Sequence, residues 1–263
     1  MTTEHLLDHR TRVPLRTMAN KVPEVTAYFW ITKVLTTGMG ETASDLLARS
    51  LGPVPAVALG GLALAVSLIV QFAVRRYIPW VYWTAVVMVS VFGTMAADVL
   101  HVGLGVPYTV STPLFLIALA AVFILWYAVE RTLSIHSIHS RSREIFYWAA
   151  VLATFALGTA AGDLTATIGF GYLGSVVFFA AVICVPALAH RYAALNAVPA
   201  FWAAYVITRP LGASLADWMA VGHTRGGLAL GLGPVTLAWT VAIVCFVGYL
   251  AFSRKDATAG KTL

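Results

Sequence analysis

Long apolar runs broken by short hydrophilic gaps dominate this chain. Eight runs fall near residues 25–47, 54–74, 79–101, 111–130, 145–167, 172–190, 199–221 and 231–252. Each is about 19 residues or longer, close to the length of helix that crosses about 30 Å of hydrocarbon at 1.5 Å per residue. The gaps carry breakers: Gly52, Pro53 and Pro55; Pro79; Gly103, Gly105 and Pro107; Gly169 to Gly174; and a glycine-rich stretch over 226–233 ahead of Pro234. The pattern predicts an all-α integral membrane fold of eight transmembrane helices.

The odd-numbered runs share a second pattern. An aromatic-Trp pair is followed, 15 residues after the Trp, by an Asp: Phe29-Trp30 with Asp45, Tyr82-Trp83 with Asp98, Tyr147-Trp148 with Asp163, and Phe201-Trp202 with Asp217. Gly40, Gly93, Gly158 and Gly212 each stand five residues before their Asp. Four copies in register make an internal repeat. Each repeat reads as a two-helix hairpin, a motif-bearing helix followed by a plain one that serves as lipid-facing shell. Two-helix units preserve direction, so the four repeats are parallel and related by a pseudo-fourfold axis along the membrane normal, unlike the inverted repeats of many carriers. The polar odd helices belong at the centre. The aromatic-Trp pairs read as interfacial belts, and the small residues before each Asp suit close helix packing.

The organisation that follows is a cytoplasmic arm over 1–24, repeats 1 and 2 over 25–130, a basic linker over 131–144, repeats 3 and 4 over 145–252, and a tail over 253–263. The arm lacks the apolar core of a signal peptide. Charge supports this layout. The chain of 263 residues is 60% hydrophobic and only 11% charged, against about 25% charged in a soluble domain. Of its 17 Lys and Arg, only Arg49 and Arg225 fall in the gaps of one side, and Lys33 and Arg209 lie inside runs. The others, among them Lys21, lie on the opposite side, which the positive-inside rule makes cytoplasmic. Both termini are then expected in the cytoplasm. The net charge of +6 is accounted for by these loops, with no nucleic-acid partner.

Helical rise places each Asp about 22 Å beyond its Trp, so the four acids form one layer. Carboxylates inside a bilayer are costly unless they face water, a countercharge or a bound cation. Asp45, Asp98, Asp163, Asp217 and Glu41 are therefore candidate ligands of a metal ion, with hydroxyls of the same helices supporting them. Lys33 and Arg209 are the candidate charge partners, forming a network with Glu41 below the Asp layer. His101 and His223 are possible ligands at the outer rim. His136 and His139 in the linker have no further ligands near them in sequence and read as part of a solvated loop. Cys184 and Cys245 read as buried small hydrophobes, with no disulfide scaffold.

These residues point to a transporter of a small ion, foremost a divalent metal cation with protons as a coupling ion. A non-transporting partner or sensor protein with a packed polar core and a carrier of anions or small solutes are the alternatives. Paired histidines at mid-depth for haem are lacking, as are nucleophile-base or HExxH patterns for an enzyme. The expected partners are the bilayer and a small inorganic ion, with no resident cofactor; the oligomeric state is left open. The run KVPEVTAYFWITKVLTTGMGETASD over 21–45, with GTAAGDLTA over 158–166, resembles a family of uncharacterised bacterial multi-spanning proteins described as membrane-anchored. That resemblance implies membrane character and no particular activity or site residue.

Overall fold

The computed structural model describes residues 20–256, and among these the chain forms nine α-helices and no strand. They are α1 (Ala27–Leu51), α2 (Pro53–Ala73), α3 (Pro79–Asp98), α4 (Tyr108–Glu130), α5 (Arg141–Thr165), α6 (Gly171–Val182), α7 (Cys184–Tyr192), α8 (Ala197–Ala220) and α9 (Leu232–Ser253). Arg10, Arg12, Arg16 and Lys261 of the expected cytoplasmic ends lie outside the described residues. Side chains of Thr26, Ser140 and Asn196 cap the first turns of α1, α5 and α8, and α3 starts on Pro79, where a missing N–H costs nothing. The run expected at 172–190 is split in two. Pro186, in the first turn of α7, cannot donate to the carbonyl four residues back, so α6 stops at Val182.

Five helical stretches are long and apolar enough to cross a membrane: Pro53–Ala73, Pro79–Gly103, Tyr108–Glu130, Arg141–Tyr192 and Leu232–Ser253. The fourth contains α5, α6 and α7, with the chain reversing at Gly169 and Gly171, both at positive φ. Helices α1 and α8 are less apolar, because Lys33, Glu41, Asp45 and Arg49 lie on one and Arg209 and Asp217 on the other.

Helices α1, α3, α5 and α8 form a closed inner ring, each packed on the next and α8 back on α1. The repeated glycine makes every one of these contacts. A methyl group placed on Gly40 would lie 2.9 Å from the carbonyl carbon of Ser90, on Gly93 2.7 Å from Cβ of Phe155, on Gly158 3.0 Å from Cδ of Pro210, and on Gly212 2.8 Å from Cβ of Thr37. Ser90, Phe155, Arg209 (which fills the space over Gly158) and Thr37 each stand three residues before the glycine of their own repeat. One contact, used four times, therefore turns a linear repeat into a ring.

The plain helices form an outer layer, and they do not fold back chiefly on their own partners. α2 packs mainly on α3, α4 on α5, α6 and α7 on α8, and α9 on α1. No repeat buries its apolar surface alone; each depends on the next, and α9 locks the last to the first. The outer layer turns large apolar side chains outward, including Leu62, Ile69, Ile117, Ile124, Val177, Val185 and Leu237. Such continuous apolar exposure suits lipid rather than water. Cys184 and Cys245 are free and belong to this outer face, not to the core expected for them, because they fall on outward positions of α7 and α9.

The aromatic-Trp pairs lie at one end of the ring, most of them inside it, while Trp30 and Phe201 are half-buried and line a cavity of about 540 Å³ beside the linker and α7. Phe29, Tyr82 and Tyr147 are buried, as are Trp83, Trp148 and Trp202. Each first aromatic meets the Trp of the following repeat: Phe29 with Trp83, Tyr82 with Trp148, Tyr147 with Trp202, and Phe201 with Trp30, at 5.6–6.1 Å between ring centres. This corrects the interfacial-belt expectation. A Trp near a helix end suits a headgroup layer, but here neighbouring helices enclose six of the eight rings.

A cap covers the same end. Lys21 and Glu144 form an ion pair at 2.6 Å with both side chains buried, and Gln71 Nε2 donates to Glu144 at 3.3 Å. The backbone N–H of Glu24 donates to the carbonyl of Asp256, and Trp202 Nε1 to the carbonyl of Leu133 in the linker. Lys21 is thus a structural residue rather than part of a solvated arm, and Ile135 and Ile138 of the linker are buried too.

Candidate functional site

The end of the ring opposite the aromatic pairs holds a cavity of about 530 Å³, and Asp45, Asp98, Asp163, Asp217 and Glu41 all line it. The equal Trp-to-Asp spacing puts the aspartates at one level, and the closed ring turns them to one space. The inner helices are irregular there. Val99–Gly103 and Ala166–Phe170 are π-helical turns that directly follow α3 and α5, and Val99, Val102, Gly103, Ala166 and Thr167 line the wall. Wider helical turns of this kind are frequent at functional sites.

One helical turn below the aspartates lie Glu41, Thr94 and Thr159, each four residues before the Asp of its repeat, and Glu41 of these three lines the cavity. Arg209 of the fourth repeat reaches up into this layer. Its Nη2 lies 2.6 Å from Glu41 Oε2 and 2.7 Å from Thr159 Oγ1, and also contacts Thr94 Oγ1. Its Nη1 donates to the Thr37 carbonyl at 3.2 Å. Thr94 and Thr159 donate to Glu41 at 3.3 and 3.4 Å. Arg209 is 0% exposed, so this is a buried, charge-assisted network assembled from all four inner helices.

Lys33 does not join it. Its Nζ is fully buried with no hydrogen-bond partner, and it lies 3.8 Å from the ring centre of Phe155 and 4.1 Å from that of Tyr205. The expected three-member network is corrected to the Arg209–Glu41 pair alone. Lys33 lies two turns before Glu41 on α1, and the neighbouring helices present aromatic faces there. Cation–π attraction compensates part of its lost hydration.

The rim histidines are also accounted for differently. His101 Nδ1 is 2.7 Å from the carbonyl of Val106 and its ring stacks on Tyr108; His223 Nδ1 is 2.9 Å from the carbonyl of Gly227. Both hold loop backbone in place and neither lines the cavity. Among the described residues no three His, Cys, Asp or Glu side chains come together as a metal site. Asp45, Asp98, Asp163, Asp217 and Glu41, the expected metal set, are brought together by the four inner helices as the lining of one cavity. His136, in the linker, lies 3.8 Å from Glu24.

Two basic residues reach the rim. Arg49 is 3.7 Å from Asp45, and Arg225 bonds the Tyr172 hydroxyl. Among the described residues no ion pair forms at Asp98, Asp163 or Asp217. The cavity is thus acid-rich, with three carboxyl groups lacking a direct basic partner. Sequence reasoning did not single out Tyr108 and Tyr172, which follow their aspartates by ten and nine residues and line the wall. It had no signal for the Lys21–Glu144 pair, which spans 123 positions.

The repeat boundaries found in the structure coincide with a known sequence profile, that of a repeat of unknown function, DUF347, which matches residues 28–77, 81–132, 146–194 and 200–256. The chain belongs to the DUF347 family. Four matched copies cover most of the chain, and each DUF347 repeat supplies one inner helix, one cavity aspartate and an outer-layer part, which in the third repeat is the two helices α6 and α7. No curated protein and no solved structure matches the chain.

Proposed function

We propose that this protein crosses the bacterial inner membrane eight times, with α6 and α7 forming one broken span and both termini in the cytoplasm, and that it transports a small cation through the centre of the ring. One observation carries the reading: carboxyl groups from all four DUF347 repeats line one cavity, and one of its lining residues, Glu41, is held from below by the buried Arg209. Lys and Arg at the aromatic end favour that end as cytoplasmic, which leaves the cavity facing outward.

In this scheme a cation entering the cavity is drawn by Asp98, Asp163 and Asp217. Deeper entry sets it in competition with Arg209 for Glu41, since both are cations seeking the same carboxylate. Releasing Glu41 loosens the contacts that Arg209 makes with α1, α3 and α5, and these are the contacts that keep the inner helices together below the cavity. Cation binding is thereby coupled to opening. A divalent metal ion would travel with its water, given the spread of the acids.

The test is flux into liposomes carrying the purified protein, with Mn²⁺, Mg²⁺, Zn²⁺, protons and alkylammonium ions assayed in turn. The expected result is movement of at least one cation, reduced at least tenfold by Glu41→Gln and by Asp98→Asn. Absence of any cation flux, or flux unchanged in both variants, overturns the reading and favours a non-transporting membrane protein.

A further inference from the structure

We infer that the cavity selects a linear alkyl diammonium ion, a short diamine, over a metal ion; this rests on the cation reading above and names the substrate class. The distribution of charge is the first argument. A metal ion, or any point charge, is best held by oxygens that converge on it, and among the described residues no three acidic or histidine side chains do so. Carboxyl groups contributed by four different helices instead match a ligand whose positive charges are themselves held apart.

The second argument is the surface between the acids. Val57, Met95, Val99 and Val102 form an apolar wall within the same cavity, and the Tyr108 and Tyr172 side chains also line it. A hydrated metal ion gains nothing from such a wall. A chain of methylenes does, through apolar burial, and an ammonium group gains further from an aromatic face. The space of about 530 Å³ lies within the range of small-molecule sites.

The third argument is a polar atom without a partner. Ser44 lines the cavity one residue before Asp45, is 1% exposed, and its Oγ has no hydrogen-bond partner. Buried hydroxyls are ordinarily satisfied. An ammonium group carries three N–H donors and no acceptor, so it pairs with one carboxylate and still has a hydrogen for Ser44.

Calorimetric binding to the purified full chain, kept in nanodiscs, tests this with 1,3-diaminopropane, 1,4-diaminobutane, 1,5-diaminopentane, butylamine, Mg²⁺ and Mn²⁺ as probes. The wild-type protein is expected to bind 1,4-diaminobutane at least tenfold more tightly than butylamine, Mg²⁺ or Mn²⁺. Affinity is expected to rise about fourfold per added methylene from three to five carbons, the ratio that burial of one CH₂ confers. Asp98→Asn and Asp163→Asn should each weaken diamine binding at least tenfold, and Ser44→Ala several-fold. Metal ions binding more tightly than the diamines, butylamine matching 1,4-diaminobutane, or no dependence on chain length overturns the inference. The chain-length series needs only the wild-type protein. If Mn²⁺ or another inorganic cation crosses liposomes while no diamine binds, the substrate class falls and the transport reading stands; if no cation of any kind moves, both fall.

Discussion

Arg209 and Glu41 lie 168 positions apart, on α8 and α1, and meet at 2.6 Å inside the ring. The pair joins the last repeat to the first, and the Thr94 and Thr159 hydroxyls bring in the other two. One guanidinium is thus shared by all four DUF347 repeats.

Arg209→Met should be strongly destabilising, because it leaves the Glu41 carboxylate buried without its cation. The expected cost is about 3–5 kcal/mol, read from unfolding in mixed micelles. The double variant Arg209→Met with Glu41→Gln should recover part of that loss. A double variant less stable than the single one would show that the pair is not what holds these helices.

Lys33→Met is expected to behave in the opposite way. The Lys33 amine is buried and makes no hydrogen bond, so an apolar side chain of similar length in the same place should leave stability unchanged or raise it by about 1–4 kcal/mol. Lys33→Glu should unfold the protein, since two aromatic faces repel an anion. A large loss of stability in Lys33→Met would reveal a carboxylate partner that the fold does not show.

Gly93→Val and Gly212→Val should each open the ring. Both glycines lie under a side chain of the next inner helix, at distances that leave no room for a methyl group. Overpacking of this kind costs about 1–3 kcal/mol or more. Gly233, which has no atom near its missing Cβ, is the control for space; Gly233→Ala should be nearly neutral. The comparison is made by melting in detergent.

Topology can be checked with thiol reagents. Val102→Cys, at an exposed position beside the cavity, should react with a charged maleimide added to intact cells. Arg76→Cys, exposed at the aromatic end, should react only after permeabilisation. Native Cys184 and Cys245, on the apolar outer face, should stay unreactive, because a charged maleimide does not enter hydrocarbon. The reverse pattern at the two introduced cysteines would mean that the cavity faces the cytoplasm.

The spacing of residues along the chain was enough to establish much of this architecture. Four copies of one motif, each with 15 residues between Trp and Asp, dictate four like helices with their acids at one level, because helical rise is constant. The cost of charge in an apolar layer places those helices inside. The partners of individual side chains were not legible in the same way, since they depend on how each helix is rotated and on which neighbour it meets. Lys33 and Glu41 share a helix and a spacing that suggests a common network, yet Glu41 faces Arg209 while Lys33 meets the rings of Phe155 and Tyr205. The aromatic-Trp pairs likewise read as surface until the ring closes around them.

The sequence by itself therefore determined the repeat, the layers and the polarity of the inner helices, which are all distances along one axis. Only the tertiary structure decided that each outer helix packs on the following repeat, that the glycines seat the next helix, and that the acids line a cavity without converging. Those are properties of angle and proximity around the axis, and a linear period does not carry them.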